Sequence, residues 1–393
     1  MATPHAFAAS PEEVGVDSRK LEALLARAER EVRQGHLNSM QIAVARRGLI
    51  ADMRSLGRVG AVPATNETLY VVFSCTKVVT SAAAWLLLQD GKLRLDERVA
   101  DLIPGFGEQG KERVTVEQLF THTAGFPTAP LALRAWTDRE ERALRFARWR
   151  LEWEPGTRFE YHPTSGMWVL ADLVERRSGM VLGDFVRERI AGPLGIELHL
   201  GLPEELNPRV AEIVHVGEPI TPEEAAEVGW PIAPENEVTE EALRAFNQPF
   251  LRAAGVPGGG AITTAAGLAL FYQAILRDLE PHDGPRIWEA ETVAEAIRPR
   301  TGDLLDPVSR VPANRGLGVV IAGDDGHRTW RGFGHGGAPR AFGHNGAGGQ
   351  IAWADPDSGI SIAYCTSTHD RNFWRESRRT IDIGSLAADL LLD

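Results

Sequence analysis

Strand-forming runs stand near both ends of this chain and helix-forming runs fill its middle, so a single sheet has to be assembled from segments far apart in sequence. Residues 40–46 and 50–59 are strand-like and meet around Arg47-Gly48, which predicts a hairpin. Toward the other end, residues 316–322, 327–333, 350–354 and 360–366 read as strands, with tight turns at Asp324-Asp325-Gly326 and Asp357-Ser358-Gly359. Helical patterns cover 78–89, 116–121, 139–149, 165–177, 182–190, 239–246 and 264–276. A further helix in 11–33 carries a stripe of Leu21, Leu24, Leu25, Ala28 and Val32, and 371–392 predicts a closing helix. Proline and acidic residues crowd 203–237, which predicts surface loops. At 393 residues, 43% of them hydrophobic, the chain exceeds the usual size of one core. Two lobes are therefore expected: an α/β lobe from 1–73 and 300–393, and a helical lobe from 74–299 inserted between its halves.

A formal charge of −12, with no block of lysine or arginine, argues against a nucleic-acid partner. The first ten residues have neither a basic start nor a long apolar run, and no apolar stretch reaches the roughly 18 to 20 residues that span a bilayer. A soluble, cytoplasmic protein without a membrane partner is expected. Two cysteines, Cys75 and Cys365, cannot make a disulfide framework. The eleven histidines form no His-Glu-x-x-His pattern and no Cys-x-x-Cys exists, so neither a metal nor another cofactor is expected.

The chemistry concentrates at Ser74-Cys75-Thr76-Lys77, where the extended run 70–73 gives way to an apolar helix. Residues three apart share a helix face, so a lysine amine can reach a hydroxyl one turn away. This makes Ser74 a candidate nucleophile and Lys77 its base. An ammonium accepts no proton, so such a lysine needs burial or neighbouring positive potential to work as a base. The helix start supplies positive potential, and the N–H of Ser74 can point at a developing oxyanion. Cys75, one place on, points off the Ser74/Lys77 face and reads as a small buried residue.

Further phrases follow in order: Gly91-Lys92-Leu93-Arg94-Leu95-Asp96, Thr121-His122-Thr123-Ala124-Gly125, Glu154-Pro155-Gly156 through Phe159-Glu160-Tyr161, Gly192-Pro193-Leu194-Gly195 and Gly343-His344-Asn345-Gly346. Together with the Ser-x-x-Lys, this set resembles the serine hydrolases of the class C β-lactamase and penicillin-binding-protein superfamily, especially the family VIII carboxylesterases. The resemblance spans about residues 10 to 370. It implies an α+β, β-lactamase-like fold: an antiparallel sheet flanked by helices plus an inserted all-helical lobe, with the active site between them.

The resemblance also implies roles. Tyr161 stands where the family has the tyrosine of its Tyr-x-Asn motif, and as a phenolate it would need neighbouring cations, Lys77 first. Closely coupled groups titrate as a pair, so the sequence leaves open which of Lys77 and Tyr161 takes the proton. His344-Asn345-Gly346 stands at the family's Lys-Thr-Gly, and the N–H of Ala347 would be the second oxyanion donor. Gly334-His335-Gly336-Gly337 competes for that position, but Pro339 interrupts the segment after it, which favours His344. His122 reads as structural. The departure is Tyr161-His162-Pro163, because proline offers no side-chain donor or acceptor where the family's lactam and peptide hydrolases carry asparagine.

The expected function is hydrolysis of short-chain carboxylic esters through an acyl-enzyme, with a small-molecule ester as the partner. No Gly-x-Ser-x-Gly exists to support an α/β-hydrolase. Three alternatives use the same residues or none: a β-lactamase or D-amino-acid amidase/peptidase, an acyltransferase, and a non-catalytic scaffold.

Overall fold

The computed structural model describes residues 6–227, 237–280, 282 and 284–392. Among them, seven strands form an antiparallel sheet in the order Val62–Pro63, Leu49–Val59, Ser39–Arg46, Ile360–Cys365, Ile351–Ala354, Phe342–Gly343, Val320–Ile321. Its centre joins the two ends of the chain, with Gln41 opposite Cys365 and Arg46 opposite Ile360.

Alternation along the strands explains how both faces are buried. Ile42 and Val44 point to one face with Ile362, Tyr364, Ile351 and Trp353. There they meet Leu21, Leu24, Leu25 and Ala28 of the helix Ser18–Arg33 and Ile383 and Ala387 of the helix Phe373–Ala387. Ala43, Ala45, Ala352 and Ala363 point the other way. These small side chains let the helix Ala265–Leu279 lie close against the sheet, where Gln273 Nε2 donates to Ala45 O, Gly359 O and Ser361 Oγ at 3.1, 3.0 and 2.9 Å. That helix falls within 74–299, the span expected to build the helical lobe, yet it belongs to the sheet by its packing.

The helical span is not free of strands either. Ala261–Thr263 pairs with Tyr70–Val71 on one side and with Leu198–Leu200 on the other in a second sheet, and Val214–Val216 pairs in parallel with Thr368–Asp370. These runs of two or three residues are too short to show a period. The strand expected at 327–333 is instead a 3₁₀ turn, Arg328–Arg331. Arg331 pulls the segment round by donating to Ala322 O and Pro312 O at 2.8 and 2.9 Å and pairing with Asp325, and Gly332 ends the turn with φ 85°. The run 316–322 keeps only Val320–Ile321 as strand. The first helix begins at Ser18, where Asp17 caps the N–H groups of Arg19 and Lys20 at 2.8 and 3.1 Å, and Pro11–Val14 forms a separate 3₁₀ turn. Of the loops expected in 203–237, residues 228–236 lie outside the described residues, and Pro222–Glu227 is a short helix. No described helix is long and apolar enough to cross a membrane.

Candidate active site

The helix Thr76–Gln89 is buried along nearly its whole length, because Val78, Val79, Ala82, Ala83, Ala84, Trp85, Leu86 and Leu87 cover all its sides. Polar groups fix its orientation. Thr80 Oγ1 donates to Pro257 O at 2.7 Å, Thr76 Oγ1 accepts the Ala261 N–H at 2.9 Å, and Trp85 Nε1 donates to Leu317 O at 3.1 Å. A 3₁₀ turn, Phe73–Cys75, precedes the helix. Phe73 holds φ 43°, a conformation that costs energy for a residue with a side chain, and its ring is clamped edge-on by Phe246 at 5.6 Å and His369 at 5.2 Å. This turn presents Ser74, half-buried, at the mouth of the helix.

Lys77, 1% exposed, sends Nζ to Ser74 Oγ at 3.2 Å and to Gly258 O at 2.9 Å. Tyr161 arrives from the stretch before the helix Ser165–Ser178 and donates its hydroxyl to the same Ser74 Oγ at 2.9 Å. Nζ of Lys77 stands 5.0 Å from the Tyr161 ring centre. The three residues read from the sequence are therefore one hydrogen-bonded cluster. Cys75 is fully buried and its thiol is pushed well up by burial, so it offers no thiolate.

The fourth wall is the loop that follows strand Phe342–Gly343. His344 lies 5.8 Å, ring to ring, from Tyr161, whereas His335 is exposed and its backbone N–H bonds Ser385 Oγ at 2.9 Å. Asn345 turns away from the cluster and donates to Gly332 O at 2.8 Å. Gly346 presses on the turn ahead of Ser74: a Cβ there would lie 2.3 Å from Val72 O. Ala347 thus follows directly from the point where the loop touches the nucleophile's turn. The N–H of Ser74 precedes that turn's first hydrogen bond, Cys75 N–H to Val72 O at 3.1 Å. A cavity of about 640 Å³ continues from the loop, bordered by Asn345, Gly346, Gln350, Trp330 and Ile381; Ser74 does not line it.

Three histidines surround the cluster, all buried. His162 Nδ1 donates to Glu160 O at 2.6 Å and Nε2 accepts the Phe126 N–H at 3.2 Å. His122 Nδ1 accepts the His162 N–H at 3.2 Å, with its ring 4.8 Å from that of Tyr161 and its backbone at φ 57°. His344 Nδ1 donates to Asn345 O at 2.7 Å. Burial holds His162 down at about 4 and keeps His122 and His344 well below the ordinary histidine range, with Arg315 adding to the effect on both. All three are neutral near pH 7.

Two residues of this site carried no signal in the sequence. Arg315 lays its guanidinium 5.4 Å from the Phe159 ring and 5.6 Å from the Tyr161 ring, with Nη1 3.5 Å from His344 Nε2. It is one of 38 arginines and stands in no motif. Glu237 receives the Thr164 hydroxyl at 2.6 Å just past Pro163; burial raises its carboxyl while Thr164 and Lys77 pull it down. Among the described residues, no group of three or more His, Cys, Asp or Glu side chains could hold a metal ion.

A family model for Beta-lactamase matches residues 22–384. The chain is 32% identical over 345 residues to Penicillin-binding protein 4 of Amycolatopsis lactamdurans, covering 84% of this chain and 81% of that one. It is 30% identical over 337 residues to Esterase/beta-lactamase LipL of Mycobacterium tuberculosis, covering 78% and 71%. The solved structure of a family VIII carboxylesterase superposes with a TM-score of 0.76 at 24% identity, over 94% of this chain and 98% of that chain, which shows a shared fold. The chain belongs to the beta-lactamase family.

Proposed function

We propose that this hydrolase cleaves short-chain carboxylic esters through an acyl-enzyme on Ser74. The observation that carries the reading is the pair of hydrogen bonds converging on Ser74 Oγ, from Lys77 Nζ at 3.2 Å and Tyr161 OH at 2.9 Å. When that pair has given up one proton, it can take the proton of Ser74 as Oγ attacks the ester carbonyl. The N–H groups of Ser74 and Ala347 then hold the oxyanion, and the same proton passes to the departing alkoxide. A water molecule repeats the sequence on the acyl-enzyme, giving its proton to the pair and releasing the acid and free Ser74. No cofactor enters any step.

Pro163 supports the ester over the amide. An alkoxide leaves with one proton, whereas an amide nitrogen must be both positioned and protonated, and proline presents no polar group to its flank. Losing one well-made polar contact is worth about 1 to 3 kcal/mol, or roughly 10- to 100-fold in rate. The resemblance to a penicillin-binding protein and to an esterase/beta-lactamase makes lactam turnover the second reading.

Intact mass after brief exposure to p-nitrophenyl butyrate should show an acyl adduct that disappears in Ser74→Ala. On one preparation, kcat/KM for p-nitrophenyl esters should exceed that for cephalosporins and D-alanyl peptides by at least tenfold. Lactam turnover equal to or above ester turnover would replace the esterase reading with the β-lactamase one.

A further inference from the structure

Resting on the acyl-enzyme reading above, we propose that Arg315 is a positioning residue for the proton transfer: its guanidinium supplies, from beside His344, a second positive charge next to Tyr161, in addition to Lys77.

The position of the family's Lys-Thr-Gly lysine holds His344 in this chain, and hydrogen bonding fixes that ring as neutral. Nδ1 faces Asn345 O at 2.7 Å, and a carbonyl can only accept, so Nδ1 carries the proton. Nε2 faces Nη1 of Arg315 at 3.5 Å, a group that can only donate, and burial with Arg315 nearby disfavours a second proton, so Nε2 carries a lone pair. His344 cannot contribute charge to the site. It can only orient the group that does.

Arg315 makes no ion pair among the described residues. The buried guanidiniums of Arg27, Arg142 and Arg331 each meet a carboxylate. Arg315 meets none within ion-pair distance among the described residues, and its Nε is buried with no hydrogen-bond partner. The residue as a whole is half-buried, and beside a partly desolvated guanidinium a counter-charge gains more than it would in water. Beside it stands the phenol of Tyr161, whose ring centre lies 5.6 Å from the Arg315 guanidinium and 5.0 Å from Lys77 Nζ. Negative charge that develops on the phenol oxygen as the Ser74 proton moves therefore has two basic side chains beside it.

The other groups bearing on Tyr161 do not duplicate this charge. His122 and His344 are held neutral by burial, as is His162 behind them. Asp306 and Arg331 act on Arg315 with opposite signs. Glu160 precedes Tyr161, and Glu237 acts on Lys77.

The test is the pH profile of kcat/KM on p-nitrophenyl butyrate, from pH 5.5 to 10, for wild type, Arg315→Met, Arg315→Lys, His344→Lys and the double variant Arg315→Met/His344→Lys. Removing the charge should cost roughly 10²-fold at pH 7 and move the acid limb up by about two units. Arg315→Lys should leave the limb close to wild type. A lysine at 344 should restore at least tenfold in the double variant and move the limb down when added alone. If Arg315→Met does not fold, the His344→Lys and Arg315→Lys profiles still decide. A loss that is constant across pH, or a raised KM confined to carboxylate-bearing esters, overturns the proposal and makes Arg315 a structural or substrate-binding group. An acyl adduct on Ser74 with an unmoved limb overturns only the role of Arg315, whereas no adduct at Ser74 overturns the acyl-enzyme reading and this proposal together.

Discussion

Gly346→Ala tests whether the loop after strand Phe342–Gly343 forms half of the site. The added Cβ would sit 2.3 Å from Val72 O and 3.0 Å from Gln350 Cβ, both part of tightly held backbone or its immediate neighbourhood. Restoring ordinary contact at 3.4 Å displaces the loop by about 1 Å from the turn that carries Ser74. If the Ala347 N–H holds the oxyanion, it moves with the loop. A displacement of about 1 Å at a reacting centre costs roughly 10²-fold, or about 2.7 kcal/mol of transition-state stabilisation, and the loss should fall on kcat because it concerns the oxyanion and not the bound ester. Overpacking also destabilises, by about 1 to 3 kcal/mol, so turnover of p-nitrophenyl butyrate is measured at 25 °C beside a circular dichroism spectrum and a thermal melt. Gly336→Ala is the matched control, since its Cβ would find its nearest neighbour, Ala388 Cβ, at 3.7 Å. A folded Gly346→Ala enzyme with kcat within threefold of wild type would refute the placement of the loop at the oxyanion.

Burial of His162 predicts a pH-dependent stability. Its folded value of about 4 lies below the ordinary 6.5, so its contribution is full above 6.5 and is lost as pH falls toward 4, a change of about 3 kcal/mol; urea midpoints at pH 7 and 4.5 should differ less in His162→Gln than in wild type. Arg142→Met should cost about 3 to 5 kcal/mol in urea unfolding, because it leaves Asp172, fully buried, and Glu175, nearly so, without the guanidinium that joins them; a loss under 1 kcal/mol would show that the pair is solvated. Native protein should resist iodoacetamide at both cysteines, since burial raises Cys75 well above the usual thiol range and Cys365 to about 12, and rapid labelling at pH 8 would contradict that.

The legible parts of this molecule were those written in long or ordered signals. The runs 40–46 and 50–59 became Ser39–Arg46 and Leu49–Val59 because seven or more residues of extended pattern outweigh any local alternative. Ser74, Lys77 and Tyr161 were legible because a helix turn fixes the first two relative to each other and ordered phrases place the third. Two- and three-residue strands were not, since pairing partners and not their own sequence make them strands. The 3₁₀ turn Arg328–Arg331 was misread because its apolar and aromatic residues imitate a strand, and what bends it is the pairing of Arg331 with Asp325 six residues earlier. Arg315 was invisible for a different reason. Its neighbours Phe159, Tyr161 and His344 come from two other segments, and only the folded chain brings them to one guanidinium.

The three buried histidines show why a histidine base, the commonest kind, has no place here. A base for Ser74 needs a free lone pair within reach of Oγ. His162 spends both nitrogens on the backbone, at Glu160 O and Phe126 N–H. His122 gives its Nδ1 lone pair to the His162 N–H, and His344 turns Nε2 toward Arg315. Each ring is a strut: together they tie the stretch 122–126 to 160–162 and lock the Tyr161 backbone between two elements of the helical span. Neutral histidines suit that task because a charged ring could not accept those N–H bonds. The three rings therefore bring no positive charge to Ser74. Replacing His122 by glutamine should accordingly weaken activity by loosening Tyr161 without changing the shape of the pH profile. A profile that loses a titrating limb in that variant would mean that a histidine, and not the Lys77–Tyr161 pair, moves the proton.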